Sequence, residues 1–300
     1  MTEYFGWRSI FYLVTILGLL TTYIVIRKLD GEWKDAEGER FDITGSILYS
    51  LALVLIMYGF SKLNSLTGLI IFIPGVIFLL AFILWELRIE FPLINLRLFR
   101  HNTVFRYSNI AALINYSATF AVAFLMSFYL QYSKGLSPKE TGFILVVQPV
   151  IMALFSPWAG KLSDRTDPGK VASIGMAVST SGLFVLSFLT QDTSILFIII
   201  VLMILGAGFA LFSSPNSNAI MSSVQRRDLG VASGTLGTMR LIGQVLSMGI
   251  AMMLFALLIG NVKIGPENID SLLRSVKISF SIFASLCFLG IFASLARRSK

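Results

Sequence analysis

The chemistry open to this sequence is limited by a short inventory: one cysteine and one histidine in 300 residues. Cys287 lies in an apolar block and His101 in a polar stretch, so no intrachain disulfide and no cysteine-based metal centre can be assembled. A lone histidine in a polar stretch is ordinarily a solvated surface residue. Zinc chemistry and most histidine catalysis drop out, and no cofactor is expected. What remains is one charge set deep in apolar sequence, Arg240, about eleven residues into its block. Polar uncharged groups accompany it: Asn115, Thr119, Gln148, Asn216, Asn218 and Gln244. Helical spacing places Asn115, Thr119 and Phe120 on roughly one face with Phe124. An apolar, aromatic wall carrying a few hydrogen-bonding groups suits a cavity for drug-like cations. The plainer use of such residues is interhelical hydrogen bonding, at about 0.6 kcal/mol per contact. These nine residues form the candidate binding path, with the amide oxygens of Asn216 and Asn218 or helix-end carbonyls as expected acceptors for Arg240.

The elements that must carry these residues follow from hydropathy. The chain is 56% hydrophobic and 13% charged, against about 45–50% apolar and roughly 25% charged in ordinary soluble domains. The apolar excess falls into blocks long enough to cross a hydrocarbon core of about 30 Å as helix. About nine spans are expected, near 9–27, 44–62, 68–87, 104–133, 139–160, 171–190, 194–214, 229–260 and 276–296. The first is read as a span rather than a cleaved leader, because its apolar run is long and no small-residue cleavage site follows. The fold class is therefore an all-α polytopic membrane protein.

The formal charge is +8, with the basic residues gathered between blocks. Sixteen of them fall in one alternating set of connections: Arg27, Lys28, Lys34, Arg40, Arg88, Arg97, Arg100, Arg106, Lys161, Arg165, Lys170, Arg226, Arg227, Arg297, Arg298 and Lys300. Seven fall in the other: Arg8, Lys62, Lys134, Lys139, Lys263, Arg274 and Lys277. The positive-inside rule then places the C-terminus in the cytoplasm and the N-terminus outside, in the cell membrane. A basic stripe interleaved with aromatics is missing outside the blocks, so nucleic acid is not an expected partner. The charged stretch KLDGEWKDAEGERFDI, 28–43, reads as a solvated linker with Asp42 or Thr44 capping the next helix. No carboxylate lies deep in a block, and Glu86, at a block end, is expected to reach the interface. Pro149 and Pro157 predict kinks in the fifth span. Gly230 and Gly234 make a G-x-x-x-G, extended by Gly237 and Gly243, which predicts close helix packing.

Three stretches are more specific. GKLSDRTDPGK, Gly160 to Lys170, resembles the G-x-L-a-D-R-x-x-R/K loop of the major facilitator superfamily. FYLQYSKGLSPKETGFILVVQPVIMALFSPWAGKLSDR, Phe128 to Arg165, resembles the fourteen-span drug:proton antiporters of that superfamily. GAGFALFSSPNSNAIMSSVQRRDLGVASGTLGTMRLIGQVLSMG, Gly206 to Gly249, is similar to the same family's P-N-x-N, G-v-A-S-G and M-R-x-x-G pattern. The opening FGWRSIF resembles its W-R-w-I-F in part, with Val14 and Ile16 departing from it.

The resemblance covers nearly the whole chain but only the back part of the family's length. It implies three helices over 1–103, the sixth span and a central hairpin, followed by a six-helix C-terminal bundle over 104–300. It implies a gating loop, with Gly160 allowing close approach and Asp164, Arg165 and Lys170 biasing one of two packed arrangements. The expected function is proton-coupled efflux of hydrophobic or cationic drug-like compounds by alternating access. The partners are the lipid bilayer, a small-molecule substrate, protons and a missing N-terminal half. Two alternatives stand beside it. One is a non-transporting half-transporter or accessory remnant. The other is a membrane-embedded lipid-modifying enzyme, weakened because the acidic run Asp35 to Glu39 is mixed with basic residues and lacks metal-binding spacing. An enzyme is not expected.

Overall fold

The structure, a computed structural model, describes residues 5–6, 8–28, 42–62, 65–89, 92, 96–260 and 265–297. The linker over 29–41, Trp7 of the opening motif, Lys263, Arg298 and Lys300 lie outside the described residues. Among the described residues, all regular structure is helical, and nine segments are long and apolar enough to cross a bilayer.

The first unit, residues 1–39, contributes α1 (Arg8–Lys28), 21 residues ending on Arg27 and Lys28. At 1.5 Å per residue it measures about 31 Å, matching a hydrocarbon core. The hydroxyls of Thr15, Thr21 and Thr22 donate to carbonyls four residues back, so these polar groups are satisfied within the helix.

The second unit, residues 40–300, holds the rest. A hairpin comes first, α2 (Ile43–Ser61) and α3 (Leu66–Glu86). Asp42 caps α2, its side chain accepting from the Gly45 amide at 2.9 Å. The two helices touch backbone to backbone: a Cβ on Gly59 would lie 2.6 Å from the Phe72 nitrogen, and one on Gly75 2.7 Å from the Ile56 nitrogen. Glu86 is 4% exposed, against the expectation that it reaches out. It closes onto the start of α2, where Trp85 Nε1 donates to both Asp42 oxygens. The last turn of α3 packs against the capped start of α2, which turns Glu86 inward.

A short α4 (Leu96–His101) leads into α5 (Thr103–Thr119) and α6 (Val122–Phe128), which together with a π turn, Tyr129–Ser133, make one span. Then come α7 (Pro138–Leu145) and α8 (Val147–Arg165), again one span. Pro149 has no N–H for the Leu145 carbonyl, and the break falls between, at Val146. Pro157 is carried inside α8. The bundle is completed by α9 (Pro168–Leu186), α10 (Ile195–Ser222), α11 (Leu229–Leu258) and α12 (Ile269–Leu295).

α9 packs on α10 and α12, α10 also on α8, and α5 on α11 and α12. Several helices outrun their expected limits. α8 runs on to Arg165, α10 continues through Pro215 to Ser222, and α12 begins at Ile269, seven residues early. Hydropathy marks the lipid-embedded part of a helix, whereas hydrogen bonding carries the helix on into polar sequence.

Candidate functional site

The site is assembled where α5, α10 and α11 meet. Gly243 of α11 lies against α5 so closely that a Cβ there would sit 2.7 Å from the Leu113 carbonyl oxygen and 2.8 Å from the Tyr116 Cβ. One turn earlier on α11, Arg240 then reaches over the Tyr116 ring, its guanidinium carbon 5.3 Å from the centroid. The pair has cation–π geometry. Arg240 is exposed while Tyr116 is buried, so one face of the guanidinium is held and the other remains open. Tyr116 is tied in turn to α10, its ring edge-to-face with Phe209 at 5.6 Å and its hydroxyl 3.5 Å from Ser213 Oγ. Arg240 thus takes an aromatic face as its contact. Asn218 is engaged elsewhere, and Asn216 is 1% exposed with its amide oxygen unpaired.

Along the same span the helix is interrupted. The Ala121 amide donates to Ser247 Oγ of α11 at 3.0 Å, and the chain turns between α5 and α6 at Phe120 and Ala121. The single face expected for Asn115, Thr119, Phe120 and Phe124 is divided by this break. Asn115 and Thr119 are buried, with Thr119 donating to the Asn115 backbone carbonyl at 2.8 Å, while Phe120 is 44% exposed. Both amide atoms of Asn115 are buried without a protein partner. Beyond the break, Phe124, Phe128 and Tyr132 of one span and Phe255 of α11 form an aromatic ladder with centroids 4.8–5.8 Å apart. Such spacings are those of attractive aromatic pairs.

Gln244 is half-buried beside Gly243. Gln148 is half-buried too, and its backbone carbonyl packs on α10, 2.5 Å from where a Gly206 Cβ would be.

A second cluster lies at the helix ends. Asn218 Nδ2 of α10 donates to Asp164 Oδ1 at 3.0 Å and to Ser163 Oγ at 3.2 Å, fastening α8 to α10. Asp167 caps α9, its side chain accepting from the Gly169 amide at 2.8 Å. Arg165 and Lys170 are exposed. Gly160 lies inside α8, and its added Cβ would meet Ser214 Oγ at an ordinary 3.4 Å.

Tyr116, Phe209, Ser213 and Ser247 escaped sequence reasoning as site residues. Tyr116 was visible as a polar aromatic in a span, one residue from Asn115. The serines resembled any hydroxyl that folds back on its own helix.

The family model for the Major Facilitator Superfamily matches residues 1–248 and, separately, 108–300. The chain belongs to that superfamily, and it is a transporter-family protein rather than an enzyme. Among curated relatives it is similar to the riboflavin transporter RibZ of Clostridioides difficile, 32% identical over 96% of this chain and 63% of the relative. It is also similar to the multidrug resistance protein Stp of Mycobacterium tuberculosis, 25% identical over 83% of the chain and 47% of the relative. The tetracenomycin C resistance and export protein of Streptomyces glaucescens is 25% identical over 87% and 49%. The chain spans about half to two-thirds of the length of these relatives.

Proposed function

We propose that this chain is the back portion of a cell-membrane exporter of hydrophobic or cationic drug-like compounds, driven by protons and working by alternating access with preceding spans. The observation that carries the reading is Arg240, half seated on Tyr116 at a three-helix junction, with the Phe124–Phe128–Phe255 aromatic ladder on the same pair of spans. Two relatives named for drug resistance or export support it. Among the described residues the buried carboxylates are Asp42 and Glu86, and both lie at helix ends, so the proton-carrying groups are assigned to the preceding spans. Residues 1–103 serve as the sixth span plus a hairpin, and 104–300 as the six-helix bundle that closes one side of the cavity.

The test is export by the full-length protein at matched membrane abundance. Arg240→Ala is expected to lower it. Arg240→Lys is expected to keep part of it, because an ammonium can also sit over a ring although it lacks the planar fork. Normal export by Arg240→Ala would refute the assignment. Expressing residues 1–300 alone in an efflux-deficient host should give no dye export, and uncoupler-sensitive export by that chain would sink the two-sided cavity.

Asp164, held by Asn218 at the helix ends, is assigned to switching: Asp164→Asn should slow turnover more than it weakens binding. The basic end is assigned to the cytoplasm. In a Cys287→Ser background, a cysteine at exposed Thr166 should resist an impermeant label that reaches one at exposed Asp192; the reverse pattern would invert the topology.

A second reading takes a flat heteroaromatic vitamin as substrate. The relative named as a riboflavin transporter favours it, as does the stacked Phe128–Tyr132 pair, 20° between ring planes. Riboflavin accumulation measured beside dye export in the same cells separates the two.

A further inference from the structure

At the basic helix ends a cavity of about 360 Å³ opens between α5, α9, α10 and α12, lined by Val104, Lys170, Ser223, Ser294 and Arg297. Arg297 is 4% exposed. Its stem lies over Gly169, where an added Cβ would be 3.6 Å from its Cδ. Its Nη2 donates to Ser294 Oγ at 2.7 Å, and that hydroxyl is held by Ser173 Oγ at 2.7 Å. The guanidinium is therefore fixed in place, yet Nε and Nη1 are buried with no partner. A buried cation with idle donors is costly and asks for an acceptor. Asp167 also borders the cavity, but its Oδ1 accepts from the Gly169 amide as the α9 cap. Among the described residues, no ion pair joins it to Arg297. The positive end of the 19-residue α9 points to the same place and adds to the field of Lys170 and Arg297.

We propose that this cavity binds a phosphate group, carried by an anionic lipid headgroup or by a soluble phosphate. The donors are Arg297 Nε and Nη1, with Lys170 as a second, mobile charge. Its position at the ends of four spanning helices is the level at which lipid phosphates lie, and Val104 and Leu295 offer apolar contact for a glycerol backbone. Burial lowers the Arg297 pKa to about 10, which still leaves it protonated at neutral pH. The nearby Asp167 charge already opposes that shift in part, and a phosphate beside Arg297 would oppose it further.

The test uses the 300-residue chain in a neutral detergent. Its thermal unfolding midpoint is compared in inorganic phosphate against chloride at equal ionic strength, and with phosphatidylglycerol against phosphatidylcholine. At saturation the favoured anion should raise the midpoint by about 5 °C. A rise with phosphatidylglycerol alone identifies a lipid source, and a rise with inorganic phosphate identifies a soluble one. Arg297→Gln should abolish the rise, while Arg227→Gln, an exposed arginine at the same end, should keep it. If Arg297→Gln does not fold, Lys170→Gln decides, with at least half of the rise expected to disappear. No rise in either anion, or a rise that survives in the deciding variant, would overturn the site.

Discussion

Along α9 and α10 the glycines are shut in. A Cβ on Gly175 would fall 2.5 Å from the Phe212 nitrogen, and one on Gly208 2.6 Å from Ser179 Oγ. Along the first half of α11, Gly230, Gly234 and Gly237 have nothing within 4 Å of where a Cβ would be. The textual motif for close packing, G-x-x-x-G, belongs to the open row; the locked glycines follow no such spacing. Each glycine in a helix costs about 1 kcal/mol relative to alanine. On α9 and α10 that cost is offset by backbone approach. On α11 no contact among the described residues offsets it until Gly243. The comparison teaches that small-residue spacing says a helix can be approached closely, and only a neighbour says that it is. Under the function proposed above, the open row receives a helix from the preceding spans.

Substitutions can break or sharpen this contrast, beginning with the locked row. Gly175→Leu should cost at least ~3 kcal/mol, because backbone on the facing helix cannot yield as a side chain can. Little folded protein should survive detergent extraction and size-exclusion chromatography; a normal monodisperse peak would show that the interface is looser than described.

The next effect belongs to the hinge point between the two regimes. Gly243→Ala should cost about 1–3 kcal/mol by pushing α11 off α5. It should also lift Arg240 from Tyr116, so its thermal midpoint falls and Arg240→Ala adds little further loss. Full additivity of the two substitutions would mean that Gly243 does not place Arg240.

Tyr116→Leu is expected to cost about 1–2 kcal/mol, removing the ring that meets both Arg240 and Phe209. Tyr116→Phe should be close to neutral, since the lost hydroxyl contact is a long 3.5 Å. A large loss in the phenylalanine variant would assign the junction to the hydroxyl instead.

The smallest effect is expected on the open row. Gly234→Ala should not destabilise this chain and should stabilise it by up to about 1 kcal/mol through helix propensity, since nothing lies within 4 Å of the added Cβ. A strong destabilisation would mean that the face is already covered.

Much of this bundle could be read from residue types. Nine apolar blocks correspond to nine candidate spans among the described residues, because a bilayer demands length and apolarity together. Asp42 was legible as a cap because a short acid before an apolar run has few other uses. What could not be read depended on partners. Arg240 was expected to look for amide oxygens, yet the nearest available partner across the Gly243 contact is the face of Tyr116. Phe120 was grouped with Asn115 by period, but Ser247, far along the chain, supplies the bond that breaks the period. Asp164 and Asp167 sit three apart in one short motif, and only the point where α8 ends decides which of them caps the following helix.

The bond from the Ala121 amide to Ser247 also orders events in time. Its two ends are 126 residues apart. At about 5–20 residues per second, synthesis takes on the order of ten seconds to cover that distance. Throughout that interval the amide would be stranded in hydrocarbon at a cost of several kcal/mol if the break already existed. The nascent span is therefore best satisfied as one straight helix, with Ala121 bonded to the carbonyl of Ser117. The bend is acquired when α11 arrives and offers its hydroxyl. The Ala121 amide thus has two ways to be satisfied, by Ser117 within its own helix before α11 packs and by Ser247 afterwards.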